Sequence, residues 1–480
     1  MTNTMSKAAI AISVFLLVSG CSSDLESAAA DDRQQPPAET HSISPAQHPA
    51  PTPDNLPALT DKSTLSDYLA YAALNNPGLE AAFNTWKAAL EQIPQVKALP
   101  DPRFEYKYFI QEVETRVGPQ RNSFAISQMF PWFGKLDLRG DIASDAARAA
   151  RQRYEAAKLK LFYEVKDAYF EYYYLAKSIA VTKDNIDLVT HLEEVALIRY
   201  KAAAASHPDV IRAQVELGKL EDRHRSLLDM RRPIIARLNA ALNRPVDTQL
   251  PSPDEIAFDE VRLADTQLLE KLITDNPQLK ALDADIAQNR KNIELAKKDY
   301  YPDVMIGLNV IDTGDSLYMN QPDSGKDPVI ASLSINLPIW QQKYAAGVRQ
   351  ARLQHLAAQR QRLETANSLS SRLQMTLYAF RDAERKIYLY RDTLLPKAQE
   401  SLKVTETAFR TADGTFTDLI DAQRILLEFS LSCERALANR SQALAMLEML
   451  IGGEIPNTGN PGPDSNVQNP IRNADTEVLK

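Results

Sequence analysis

Two short stretches of this sequence set a hydroxyl three residues ahead of a carboxyl: Ser206-His207-Pro208-Asp209 and Thr415-Phe416-Thr417-Asp418. That spacing is a capping box, in which the two side chains satisfy free amides at a helix start. The chemistry offered by Ser206, Asp209 and Thr415 is therefore structural. Asp421 is a different case. It lies three residues beyond Asp418 on the same helix face, and the matching position after Asp209 holds Arg212. Elsewhere the chain lacks the constellations that reactions need. It has no Gly-rich phosphate loop, no GxSxG and no HExxH. His191, His207, His224 and His355 are scattered over helical patterns and read as surface side chains, while His41 and His48 fall in a polar segment near the start. Cys21 and Cys433 are the only cysteines, which excludes a disulfide framework or a cysteine zinc site. The expectation is a protein that is not an enzyme and has no cofactor or metal site of its own.

The composition agrees with a non-catalytic role. Lys plus Arg number 55 and Asp plus Glu 63, a net charge of −8, so nothing points to nucleic acid. At 44% hydrophobic the chain can bury a core, and 15 glycines argue against a large turn-rich β protein. Residues 1–20 read as a signal peptide: Lys7 precedes an apolar run, Ala8 to Val18, that is too short to span a bilayer as a helix. The run ends Leu17-Val18-Ser19-Gly20-Cys21, which resembles the lipobox of bacterial lipoproteins. The resemblance implies cleavage before Cys21 and lipidation of that cysteine. Ser22, rather than Asp, points to the outer membrane. Residues 21–57, rich in Ala, Pro, Ser, Asp and Gln, follow as lipid anchor and flexible tether.

The elements that carry the two capping stretches are unusual. From Ser123 the chain alternates apolar and small residues, breaks at Pro131-Trp132-Phe133-Gly134, and becomes a polar, Ala-rich helical pattern. From Leu136 to about Ala203 there is no Pro and a single early Gly, so the pattern predicts one helix of roughly 65 residues, about 100 Å long. A second helix then runs to Asn243. The same plan returns in the second half. Asn75-Asn76-Pro77 becomes Asp275-Asn276-Pro277, with Leu79 matched by Leu279; Pro131 becomes Pro338, with Trp340 close behind; and Tyr200, Asp209 and Gln214 become Phe409, Asp418 and Gln423. A period of about 200 residues is far above solenoid repeats and marks a duplicated half-protein. The first repeat is placed at 58–245 and the second at 246–451, with 452–480 as a disordered tail. Strands are expected at about 103–111 and 122–130, then at about 303–311 and 328–337, with Val113 to Gln120 as a loop. Kinks are expected at Pro94 and Pro396.

Each expected strand has one oily and one polar or small face. Phe104, Tyr106, Tyr108 and Ile110 alternate with Glu105, Lys107 and Gln111; Val329, Ala331, Leu333 and Ile335 alternate with Ser332 and Ser334. Such a sheet suits a membrane barrel with a water-filled lumen, and it would also suit a soluble sheet with a helical stalk. Four strands cannot close a barrel, and an open sheet edge cannot survive in lipid, so several chains would share one barrel. A dimer would supply eight strands and a trimer twelve. The broad apolar stripes of the long helices suit coiled-coil packing between neighbours.

The duplicated layout, Asn-Pro-x-Leu in each copy, the strand-Pro-aromatic-helix passages and the turns before Asp209-Val210-Ile211 and Asp418-Leu419-Ile420 resemble the outer-membrane factor (TolC-like) family over residues 60–451. The resemblance implies a mainly α fold with a small β part: duplicated helix-strand-long-helix repeats forming a trimeric 12-stranded outer-membrane β-barrel continued by a periplasmic α-helical barrel. It implies a passive export duct that works as a homotrimer, touches outer-membrane lipid, and docks onto a periplasmic adaptor and an inner-membrane pump. The lipid-anchored branch served by proton-driven pumps is closest in plan. Much of the passage from Phe109 to Gly134, with Gln111 to Arg116 in it, resembles members that export cations or heavy metals, so the expected cargo is heavy-metal cations or drugs. By the same resemblance Asp418 and Asp421 line the narrow periplasmic entrance; the expectation is an acidic ring there, with Arg212 alternating with Asp421 around the tube, and the alternative is a pair of solvated helix-surface charges. The position of the family's nearby gating arginine is held by Gly414. Trp132, Phe133 and Trp340 fall at the strand-helix joints where strands leave the bilayer, and there they either sit at the lipid interface, a level that suits aromatic rings, or simply pack the joint. The alternatives are a type I secretion exit duct and a non-channel coiled-coil lipoprotein scaffold.

Overall fold

The computed structural model describes residues 59–455, apart from 61, 62, 204, 254, 257–260, 262, 263 and 412. The signal peptide, Cys21 and the tether lie outside the described residues, as does the expected tail beyond Ile455. Gly452 to Ile455, assigned to that tail, are described, and Ile455 is buried in the core of the second repeat.

Each repeat begins with a helix pair hinged on asparagine. Helices α1 (Leu65–Asn75) and α2 (Pro77–Lys97) meet at Asn76, and α5 (Asp265–Asp275) and α6 (Pro277–Lys298) meet at Asn276. The residue before a proline avoids helical angles, so the first helix stops there. Proline at the first position then starts the next, because its missing N–H needs no partner. The asparagine side chain works in both directions. Asn76 Oδ1 accepts from Leu79 N at 3.0 Å, while its amide donates to the Ala241 carbonyl at 3.0 Å. Asn276 repeats this with Leu279 N and, at 2.8 Å, the Leu450 carbonyl. One residue thus caps a helix and pins the far end of the returning helix of the same repeat.

Helix α3 (Lys135–Lys201) runs for 67 residues and returns as α4 (His207–Ala241). In the second repeat α7 (Gln341–Tyr388), a π-helical turn (Leu389–Leu394) and α8 (Leu395–Thr411) take the place of α3, and α9 (Phe416–Ile451) returns. The π turn lies just ahead of Pro396, where a bend was expected. Proline lacks an N–H and crowds the carbonyl four residues back, and a widened turn absorbs that conflict. Pro94 falls in the last turn of α2, which stays helical to Lys97. The core is split accordingly. Ala72, Leu79, Val165, Tyr172 and Leu238 pack in the first repeat; Leu272, Leu279, Leu373, Phe380 and Leu447 pack in the second.

Strands β1 (Arg103–Thr115), β2 (Gly118–Phe130), β3 (Val304–Thr313) and β4 (Val329–Ile335) form one antiparallel sheet in chain order, with β2 and β3 joining the repeats. The first hairpin is longer than its sequence pattern predicts: the expected loop over Val113 to Gln120 is strand except for Arg116 and Val117. Two backbone bonds from the β3–β4 connection hold it, Gly314 N to the Pro119 carbonyl at 2.7 Å and Gly325 N to the Val117 carbonyl at 2.8 Å. Conversely β4 stops at Ile335, two residues short of expectation, although Asn336 still bonds the Asp303 carbonyl at the next position of the same register. β3 begins one residue later than expected and continues two further, to Thr313.

Candidate functional site

The registers sort the sheet into two faces. Phe104, Ile126, Leu308 and Ala331 stand abreast, and so do Tyr106, Phe124, Val310 and Val329. On the opposite face the rows read Arg103, Ser127, Gly307, Ser332 and Glu105, Ala125, Asn309, Ile330. Ser123 donates to Asn309 across that second face at 2.8 Å. The apolar face is bare, to the point that Ile110 is 90% exposed. β1 and β4 are the outer strands of the sheet, and every residue of β4 is exposed.

The strand-to-helix passage of the first repeat is locked. Asp303 accepts from Trp132 N at 2.8 Å and from Lys135 Nζ at 2.9 Å, and the Lys135 side chain is only 4% exposed. Trp132 stacks on Tyr301 with ring centroids 5.3 Å apart. Gly134, at φ 77, makes the left-handed step that turns the strand into α3. Neither Lys135 nor Asp303 stood out in the sequence, since they are far apart in the chain and of ordinary type. The other two aromatics of these passages are outward: Phe133 is 83% and Trp340 70% exposed.

At the far end, the α3–α4 and α8–α9 turns pack together around Leu192, Val210, Phe409, Phe416 and Leu419. Ser206 Oγ donates to Asp209 at 2.7 Å and Thr415 Oγ1 to Asp418 at 2.7 Å, each within a two-way capping box. Arg212 reaches across from α4 to donate to Thr417 Oγ1 at the start of α9, and lies 3.7 Å from Asp209. Asp421 projects from α9 with its side chain 58% exposed, 3.3 Å from Arg424. Arg212 and Asp421 thus take other partners within the chain. Arg424, which the sequence reading passed over, donates to Glu216 at 2.6 Å and joins α9 to α4 just behind Asp421. Deeper still, buried Gln423 donates to Asn185 of α3 at 2.9 Å. Asp418 and Asp421 are left as solvent-facing carboxylates, one turn apart, beside the turn.

Among the described residues no group of three or more His, Cys, Asp or Glu could hold a metal ion, and no helix is long and apolar enough to cross a membrane. An amphipathic four-stranded sheet that continues into helices of this length defines a class, the protomer of an outer-membrane channel with a helical extension. The family model described as outer membrane efflux protein matches residues 69–244 and 268–453. The chain belongs to that family. It is 20% identical over 401 residues to the cobalt-zinc-cadmium resistance protein CzcC of Cupriavidus metallidurans, covering 81% of this chain and 90% of the relative. It is 20% identical to nodulation protein T of Rhizobium leguminosarum bv. trifolii over 382 residues, 76% of this chain and 80% of that one. The fold matches the outer membrane protein VceC of Vibrio cholerae with a TM-score of 0.68 at 16% identity, covering 82% of this chain and 97% of that one. It matches CusC with a TM-score of 0.70 at 13% identity, covering 81% and 92%. The protein is an outer-membrane channel component of tripartite efflux systems, with a periplasmic helical extension, and not an enzyme. Members of the family form trimers and dock with periplasmic adaptors and inner-membrane pumps.

Proposed function

We propose that three copies of this chain close a twelve-stranded barrel and a continuous helical tube, which passes heavy-metal cations from a proton-driven inner-membrane pump to the outside. The observation that carries the reading is the open sheet: one face apolar, the other small and polar, both outer strands bare. In lipid each unpaired edge group costs several kcal/mol, so the edges must meet other chains. Residues 58–245 and 246–451 act as two half-staves. The cargo class is supported by the likeness to a cobalt-zinc-cadmium resistance protein and by the two exposed carboxylates at the helix turns.

Asp418 and Asp421 form the entrance ring in this reading, with Arg212 beside it and Ser206, Asp209 and Thr415 holding the turns that present it. Cys21 carries lipid and anchors each protomer at the outer membrane. Phe133 and Trp340, both bare, sit at the lipid interface, while Trp132 fixes the joint beneath it. The test is reconstitution of the purified full chain in planar bilayers, with its mass in detergent measured by ultracentrifugation. A trimer with a cation-preferring conductance is expected. A folded monomer with no conductance overturns the reading.

A further inference from the structure

The two repeats make the same sheet contact twice within the chain. Matching Pro100 to Pro302 and Pro131 to Pro338 carries the pair Phe104↔Ile126 onto Ile306↔Leu333, a pair that the structure records. The same matching can be applied to the contact between repeats, β2 on β3. There Gln128 faces Ile306 and Ile126 faces Leu308. Carried over, these become Ile335 facing Phe104 and Leu333 facing Tyr106, which places β4 of one copy against β1 of another. All four residues are apolar, exposed and on the one oily face, so this register keeps both faces of the sheet continuous. A slip by one residue would put Leu333 and Ile335 opposite charged side chains, Glu105 among them.

The lock at the joint has a counterpart under the same matching. Asp303 becomes Asp101 and Tyr301 becomes Leu99; Trp132 becomes Ile339, and Lys135 becomes Gln342, with Lys343 next to it. An aliphatic pair, Leu99 and Ile339, thus replaces the aromatic pair Tyr301 and Trp132, and both of its members are exposed. Asp101 is exposed and has no ion pair among the described residues; Lys343 likewise has none there and lies only over its neighbour Tyr344. We infer that Asp101 of one copy pairs with Lys343 of the next, with Leu99 packed on Ile339 and β1 added to β4 in the register Phe104↔Ile335. The joint between subunits is then a second version of the joint within the chain. This rests on the reading that several copies share one barrel.

The experiment pairs Asp101→Cys with Lys343→Cys in a full chain carrying Cys433→Ala, bridged in detergent by a short bismaleimide that spans the reach of the lost lysine side chain, and run on a denaturing gel. Subunit number is measured separately by ultracentrifugation. Covalent dimers and trimers absent from either single-cysteine chain are expected, as is a direct disulfide for Phe104→Cys with Ile335→Cys, since facing strand residues bring their Cα atoms within the about 7 Å that a disulfide needs. Asp101→Lys and Lys343→Asp should each lower the temperature at which the trimer dissociates, and the two together should restore most of the loss. A trimer that forms without either cross-link overturns the lock and leaves the shared barrel standing. A chain that never trimerises overturns the shared barrel itself, and the lock with it.

Discussion

The Asp303 carboxylate lies 2.9 Å from the ammonium of Lys135, joining positions 168 residues apart at the level where sheet becomes helix. The same oxygen takes the Trp132 amide, so one side chain holds both the end of β2 and the start of α3. Breaking a buried pair from one side leaves an uncompensated charge. Lys135→Met should therefore cost about 3 kcal/mol, read as a lower midpoint in thermal unfolding followed by circular dichroism. A midpoint within a degree of wild type would mean that Asp303 finds another partner.

Asp421→Ala should weaken the preference for cations and the block by divalent ions in single-channel records, since a carboxylate ring sets ion preference by charge. Arg424→Ala should act in the opposite direction and strengthen that preference, because it removes the guanidinium that lies 3.3 Å from Asp421 and leaves the carboxylate less neutralised. Unaltered selectivity in Asp421→Ala removes the ring.

The capping boxes give a cleaner stability measurement. Thr415→Ala and Ser206→Ala should each destabilise by about 1 kcal/mol, with conductance per open channel unchanged. Faster hydrogen exchange confined to the first turn of α9 or α4 is the readout.

The pair Glu171–Arg435 predicts how stability depends on acid. Arg435 donates to both Glu171 oxygens, at 2.6 and 3.0 Å, and holds that carboxyl below the usual range. A lowered folded-state value means that the contribution is present above the unfolded carboxyl value of about 4 and is lost as pH falls through the folded one. Glu171→Gln should thus be less stable than wild type at neutral pH, with the gap closing in acid. Arg435 also lies over the Tyr174 ring, 3.4 Å from its centroid, so Arg435→Ala should cost more than Glu171→Gln.

Gly118 sits at φ +132, and a Cβ there would run into the carbonyl of Gly314. Gly118→Ala should free the β3–β4 connection from the first hairpin, which limited proteolysis of intact trimers would report as a new cut between Gly314 and Pro328. Resistance equal to wild type would show that the two hairpins are held elsewhere.

Much of this was legible in the chain itself. The duplication, the long helices and the two-faced strands follow from local rules: side-chain period, proline's missing donor and the capping spacing are written residue by residue. The roles of Asn76 and Asn276 were half legible, since Asn-Pro marks the helix boundary but not the bond to a carbonyl of the returning helix. Only the tertiary structure brought Gly314 and Gly325 against the first hairpin, whose own pairs from Val113↔Gln120 to Thr115↔Gly118 carry it beyond the sequence pattern. Only it singled out Lys135, Asp303, Arg424 and Glu216 from many similar charges, and gave Arg212 and Asp421 separate partners. The physical reason is common to all of these. Periodicity and capping depend on neighbours within a few residues, whereas an ion pair or a strand register depends on which distant groups the fold brings within 3 to 4 Å, and nothing local encodes that distance.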